Sequence, residues 1–340
     1  MVSFILYFKH YVYAIIIVLI IESSLTFIPL PEINWRGDLI DTSFRAPPIL
    51  QKFITEGKRN IFLGKDYDII QIGDSSGFFG VQPKIINEYL SGKKYLSTNC
   101  CADLGWQGYS YVAEDYLSQN PKAKHLILYF SPYSLPMVYK QGFSEEYKKS
   151  YLSIGEFLNN KMPSFSLRVP VTNLLFYHKW SFDFYKDPSS GWLNIPPFKE
   201  WLMKFKESDG WAPFPLPNTD VPIGKCDKQL TEGLFDSNGR PTLYDNLVPI
   251  KNVADKFNVK LLVITNPVAC EQSDEIKPFI DELNKFKNHY PDVIFYEPFI
   301  TTVPKENMGD RWHLTSKASI NNSHRIGKFL KKYFELNIIK

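Results

Sequence analysis

The run His125-Leu126-Ile127-Leu128-Tyr129-Phe130 constrains this chain more than any other feature. A strand with one face in water alternates apolar and polar residues. One that is apolar at nearly every position must be covered on both faces, as happens in parallel sheets layered between helices. Two further runs read the same way, Asp68-Ile69-Ile70-Gln71-Ile72 and Val259-Lys260-Leu261-Leu262-Val263-Ile264, and shorter strand patterns occur near 94–99 and 293–296. Helical spacing falls between them, at about 83–90, 109–119, 244–257, 273–289 and 316–334. Strands alternating with helices predict a three-layer α/β/α domain with a mainly parallel sheet over residues 65–340.

The pattern breaks between about 135 and 240, where the sequence turns Pro-rich and aromatic-rich through Pro213-Phe214-Pro215-Leu216-Pro217. This stretch is expected to be an insertion at one end of the sheet. It leaves the third strand at its carboxyl end, so its aromatic residues, Trp180, Trp192, Trp201 and Trp211 among them, are expected either to border the crevice there or to pack a small subdomain.

At the N-terminus, Lys9 and His10 precede an apolar run from Tyr11 to Ile21, which Glu22-Ser23-Ser24 interrupts before Leu25 to Leu30 resume it. Residues 11–30 together match one bilayer thickness at about 1.5 Å per residue. The uninterrupted part alone has the length of a signal-peptide core. An uncleaved signal anchor over 1–30 is favoured because no small-x-small cleavage pattern follows, and it would leave the rest of the chain outside the cytoplasm. Residues 31–64 read as a juxtamembrane linker with one helix around Ile49 to Glu56.

The 39 Lys and Arg nearly balance the 36 Asp and Glu, and no basic block forms a phosphate-binding face, so nucleic acid is not an expected partner. The four cysteines, Cys100, Cys101, Cys226 and Cys270, show no metal-ligand spacing, and neither a metal nor a cofactor is expected. A Cys226–Cys270 bridge would tie the insertion to the core. The adjacent Cys100 and Cys101 are expected to be buried thiols.

Two short motifs carry the chemistry. Gly73-Asp74-Ser75 follows the first strand and precedes a helix, at the sheet edge where open parallel sheets bind ligands. Alone, such a tripeptide is a turn with a helix cap. Asp310-Arg311-Trp312-His313 places a carboxylate and an imidazole three residues apart just before the last helix. Alone, it is a capping carboxylate beside a solvent-facing histidine. Together they supply what an activated serine needs: a nucleophile, Ser75; a base to take its proton, His313; and an acid to orient that base, Asp310.

With these residues the chain resembles the SGNH (GDSL-like) hydrolase superfamily. Gly73-Asp74-Ser75-Ser76 stands for its first block and Asp310-x-x-His313-Leu-Thr-x-Lys-Ala318 for its last, over roughly residues 65–134 and 245–335. The resemblance implies a flavodoxin-like sheet and a triad of Ser75, Asp310 and His313. It also implies an oxyanion hole from the amides of Ser75 and of a glycine after the second strand, where Asn99 is followed by Gly105 and Gly108; Gly108 is preferred. One block departs from the pattern. GDSL esterases carry Gly-x-Asn-Asp after the third strand, and this chain has Phe130-Ser131-Pro132-Tyr133-Ser134, with Asn266 after the next strand as another amide or a turn residue.

That departure and the N-terminal apolar run are similar to the membrane-anchored branch of the superfamily, which serves cell-envelope polysaccharide O-acetylation and teichoic-acid D-alanyl transfer. The similarity implies an acyl-serine that passes its group to a polysaccharide or glycan hydroxyl, with a multi-spanning membrane acyltransferase as partner. A hydrolase that deacylates a lipid or glycan through the same triad is the alternative. A third is a non-catalytic scaffold whose aromatic insertion binds a glycan.

Overall fold

A computed structural model of the chain describes residues 61–135, 204–214, 242–271 and 274–338 continuously, with shorter pieces at 11–13, 16–17, 54, 58–59, 225–226, 234–235 and 238–239. The chain divides into two compact units. One comprises Met1–Leu39 with Phe165–Pro197, and the other Ile40–Ser164 with Phe198–Lys340. The described residues of the first unit are the helical positions 11–13 and 16–17 alone, and all of them are exposed. The expected anchor over 11–30 therefore lies mostly outside the described residues, among which no helix is long and apolar enough to cross a membrane.

The second unit holds a five-stranded, wholly parallel sheet in the order β2-β1-β3-β4-β5. Its strands are β1 (Ile69–Gly73), β2 (Tyr95–Ser97), β3 (His125–Phe130), β4 (Lys260–Thr265) and β5 (Ile294–Phe295). This is the flavodoxin-like order, in which the chain reverses direction across the sheet between β1 and β3 and opens a crevice at their carboxyl ends. β1 pairs with β3 from Ile69 opposite His125 to Gly73 opposite Tyr129, which sets the two loops bearing Asp74 and Ser131 side by side.

The helices are α1 (Ser75–Gly80), α2 (Pro83–Asn87), α3 (Gly105–Ser118), α4 (Leu243–Lys256), α5 (Lys277–His289) and α6 (Ser316–Ile338). α6 packs on α1 and α2, and α4 packs on α3 and α5, giving one helical layer on each face of the sheet. Side chains alternate across a strand, and Ile69, Ile127, Tyr129, Leu262 and Ile264 accordingly join Val81, Ile86, Leu90, Ile326 and Leu330 in one fully buried core. The other side chains of β3 meet the opposite layer, Phe130 lying 5.2 Å from Trp106 of α3 and 6.2 Å from Phe279 of α5. The five expected strands and the helices expected at about 83–90, 109–119, 244–257, 273–289 and 316–334 are present, with β2 and β5 shorter than the apolar patterns that marked them, while the helix expected around Ile49 to Glu56 lies almost wholly outside the described residues. α3 starts four residues early, at Gly105, where a φ of +71° turns the chain out of the 3-10 turn Ala102–Leu104.

Ile54, Lys58, Arg59 and Phe62 are buried in the domain. Arg59 grips Asp115 of α3 with Nε–Oδ2 at 2.8 Å and Nη2–Oδ1 at 3.3 Å. The C-terminal part of the segment read as a linker is thus docked on the α/β core. Cys226 and Cys270 are bridged as expected, which fastens a piece of the insertion beside the carboxyl end of β4. Cys100 and Cys101 are bridged to each other, against the expectation of two thiols. The chain after β2 runs extended at Cys101, and Tyr109 donates to the Cys101 carbonyl at 3.2 Å.

His125, at the start of β3, lies edge-on to Phe334 at 4.8 Å and to Tyr333 at 5.8 Å. Burial, helped by Lys93, pulls its pKa from 6.5 down to about 4. An unfolded chain takes up this proton between pH 6.5 and 4 while the folded one does not. The group's contribution is therefore complete above pH 6.5 and is lost as pH falls towards 4. His125→Phe is expected to flatten the stability profile across that window by on the order of 2 kcal/mol. Urea melts at pH 7 and pH 4.5 measure it, and identical pH slopes in the two proteins would refute it.

Candidate active site

Ser75 is the first residue of α1, and its position is fixed from below. Gly73, with φ +137°, ends β1 so close to β3 that a Cβ there would lie 1.8 Å from the Tyr129 carbonyl oxygen. Asp74 then caps α1 and is fully buried. Its Oδ1 accepts from the Ser76 amide at 2.9 Å and from the Ser76 hydroxyl, and its Oδ2 accepts from the Ser131 amide at 2.8 Å, with the Ser134 hydroxyl as a further donor. Burial raises the pKa of Asp74, opposed by these hydrogen bonds and by the charge of His313. The carboxylate thus ties the Ser75 loop to the loop after β3, where Ser131 and Ser134 are its donors.

Ser75, His313 and Asp310 are brought together across 238 residues. Ser75 Oγ lies 2.7 Å from His313 Nε2, and His313 Nδ1 lies 2.7 Å from Asp310 Oδ2. Asp310 is nearly fully buried, and its other oxygen accepts from the amides of Trp312 and His313, both at 2.7 Å. That is an aspartate turning its own loop, a role the short side chain suits. One carboxylate therefore shapes the backbone and orients the imidazole at once. The loop is closed by a Met308–Leu314 bridge and by the Gly309 amide on the His313 carbonyl at 2.8 Å. With Nδ1–H on Asp310, Nε2 is left as the acceptor for the serine hydroxyl proton, the arrangement that activates a serine.

A buried polar chain docks the two halves of the site. Asn266 is fully buried and donates to the carbonyls of Trp312 at 3.0 Å and Pro267 at 2.9 Å, while its Oδ1 accepts from Tyr129 OH at 2.8 Å. Asn322 of α6 donates to that same hydroxyl at 3.0 Å and to the carbonyl of Gly80, at the end of α1, at 2.8 Å. Asn266 is thus neither a plain turn residue nor a free amide for an oxyanion, because both its donors hold backbone. Asn99 is committed in the same way. Its amide donates to Asp74 O at 3.0 Å and Tyr129 O at 3.1 Å, and its oxygen accepts from Gln71 Nε2 at 2.7 Å.

Ser75, Asp310 and His313 come together as the sequence motifs predict. Helical spacing from about 109 would put Gly108 just ahead of a helix, but it is instead the fourth residue of α3, where the helical hydrogen-bond ladder begins. Its missing side chain makes room for Leu104, whose Cγ a Cβ would approach to 2.6 Å. Gly105 stands at the start of α3, with its amide on the Ala102 carbonyl. The Ser76 amide is on Asp74, whereas the Ser75 amide opens the helix and has no intrahelical acceptor.

Two residues at the site carry no sequence signal of their role. Lys58 is buried beneath α1, 4.3 Å over the Phe78 ring, and donates to the carbonyls of Ser97 and Asn99; burial drives its pKa well below the usual lysine range. Phe214, from the described part of the insertion, stacks on the His313 ring with centroids 4.7 Å apart. The described segment 204–214 meets the outer edge of β2 at Asp209, whose carbonyl accepts from the Ser97 amide at 3.1 Å, and its Trp211 indole donates to Phe79 O at 2.7 Å. Trp211 is therefore packed at α1, while Trp180, Trp192 and Trp201 lie outside the described residues. No protein-family model matches the sequence, and no curated protein matches it.

Proposed function

We propose that the protein is a serine acyltransferase of the SGNH type that works through an acyl-Ser75 intermediate and O-acylates a cell-envelope or extracellular polysaccharide. The observation that carries this reading is the unbroken relay from Ser75 Oγ through His313 to the buried Asp310, with both links at 2.7 Å. His313 Nε2 takes the hydroxyl proton as Oγ adds to the acyl carbonyl. The proton then goes to the departing donor oxygen, which leaves an ester on Ser75. The Ser75 amide, at the N-terminus of α1, supports the oxyanion, and Gly108 is left to packing. Transfer to a sugar hydroxyl repeats the sequence with the acceptor oxygen as nucleophile.

Transfer is favoured over hydrolysis by the similarity of the Ser131-Pro132 block and the N-terminal apolar run to the envelope-acylating branch. In this reading residues 11–30 anchor the chain with the α/β domain outside the cytoplasm, and a multi-spanning membrane acyltransferase supplies the acyl group. The test is to incubate the full chain in detergent with a chromogenic acetyl ester, with and without an oligosaccharide acceptor. Acetylated oligosaccharide is the expected product. Release of free acetate alone, at a rate the acceptor does not change, would replace the transferase with an esterase.

A further inference from the structure

The base is walled by aromatic rings on one side. Phe214 stacks on the His313 imidazole with 25° between planes, Phe79 meets the same ring edge-on at 5.2 Å, and the two phenyl rings touch at 5.2 Å. The seat for Phe214 is specific. Gly309 has no side chain where a Cβ would fall 2.3 Å from Phe214 Cδ1 and Cε1, and the bond from the Trp211 indole to Phe79 O fixes the segment three residues before it. Phe214 is itself buried, and the His313 side chain is left 14% exposed.

A histidine does not choose between water and a sugar hydroxyl by its basicity, since either oxygen can surrender a proton to it. The choice is made by which oxygen reaches Nε2, and a wall of hydrocarbon removes the sites where water would be held. We propose that Phe214, backed by Phe79, determines acceptor specificity by keeping water from His313, so that acyl-Ser75 is discharged to a hydroxyl of a polyhydroxylated sugar. This rests on the acyl-serine reading above. In the discharge, Nε2 removes the acceptor O–H proton as the acceptor oxygen bonds to the acyl carbon. Collapse then breaks the bond from that carbon to Oγ, and the proton passes from Nε2 to Oγ, restoring Ser75.

The test uses the full chain in detergent with p-nitrophenyl acetate and no sugar. Wild type is expected to release a stoichiometric burst of nitrophenol followed by slow turnover, because water discharges the acetyl-enzyme poorly. Phe214→Ala is expected to keep the burst and to turn over roughly tenfold faster in the slow phase. Gly309→Ala, which displaces the ring without deleting it, is expected to act in the same direction and gives a second reading should Phe214→Ala fail to fold. A slow phase that is unchanged or slower in a folded variant overturns the proposal, since a residue that merely orients His313 would lower turnover when removed. A wild-type enzyme that labels at Ser75 yet shows no burst overturns it too. Failure of wild type to label at Ser75 defeats the underlying acyl-serine reading instead.

Discussion

Replacing His313 with glutamine is expected to lower acyl transfer by about 10³-fold or more while the protein stays folded. Glutamine can still hydrogen-bond to Ser75 or Asp310, so the packing of the 308–315 loop survives. It cannot carry a proton between Oγ and an acceptor oxygen, which is the one property the site requires of that position. Asp310 makes a poorer probe of chemistry, because its Oδ1 also holds the amides of Trp312 and His313, and its removal mixes loss of orientation with loss of loop structure. Initial rates with the chromogenic acetyl ester, beside a thermal melt of each protein, separate the two effects. A fall of less than about tenfold in a folded His313→Gln protein would mean that another group serves as base.

The second large effect concerns the backbone under the nucleophile. Gly73→Ala would bring a Cβ to 1.8 Å from the Tyr129 carbonyl oxygen at a φ of +137°, and also to 2.8 Å from Asn99 Nδ2. Neither obstacle can swing away, because one is main chain of the central strand and the other is a side chain engaged at three points. β1 would have to separate from β3 at the very residues that place Asp74 and Ser131 together. A loss of about 4 kcal/mol or more is expected, which removes most of the stability of a domain at the low end of the usual range of about 5–15 kcal/mol. Chemical denaturation of the purified variant, or its failure to accumulate, reads this out. A variant within about 1 kcal/mol of wild type would show that the β1–β3 junction is looser than described.

What could be read from the sequence followed the strength of each local signal. The β3 and β4 runs are apolar because both faces of the sheet are covered, and composition alone conveys that. Asp310 and His313 lie three residues apart, so their mutual geometry is local, and only their meeting with Ser75 needed the fold. Gly108 was misplaced because a glycine that admits a neighbouring side chain and one that starts a helix look alike in sequence. Asn99 and Asn266 resemble turn residues or free amides until the backbone groups they hold are in place. Lys58 and Phe214 had no motif at all. A lysine in a polar stretch and a phenylalanine between two prolines acquire their positions from contacts with residues far away in the chain, such as Asn99 and His313.

The most direct test of the account is to locate the reactive serine. The full chain in detergent is treated with a fluorophosphonate probe, digested and mapped by mass spectrometry. The account predicts a single phosphonylated residue, Ser75, and no labelling of Ser75→Ala. Adducts on Ser76 or Ser131, or equal labelling of the wild type and Ser75→Ala, would contradict it.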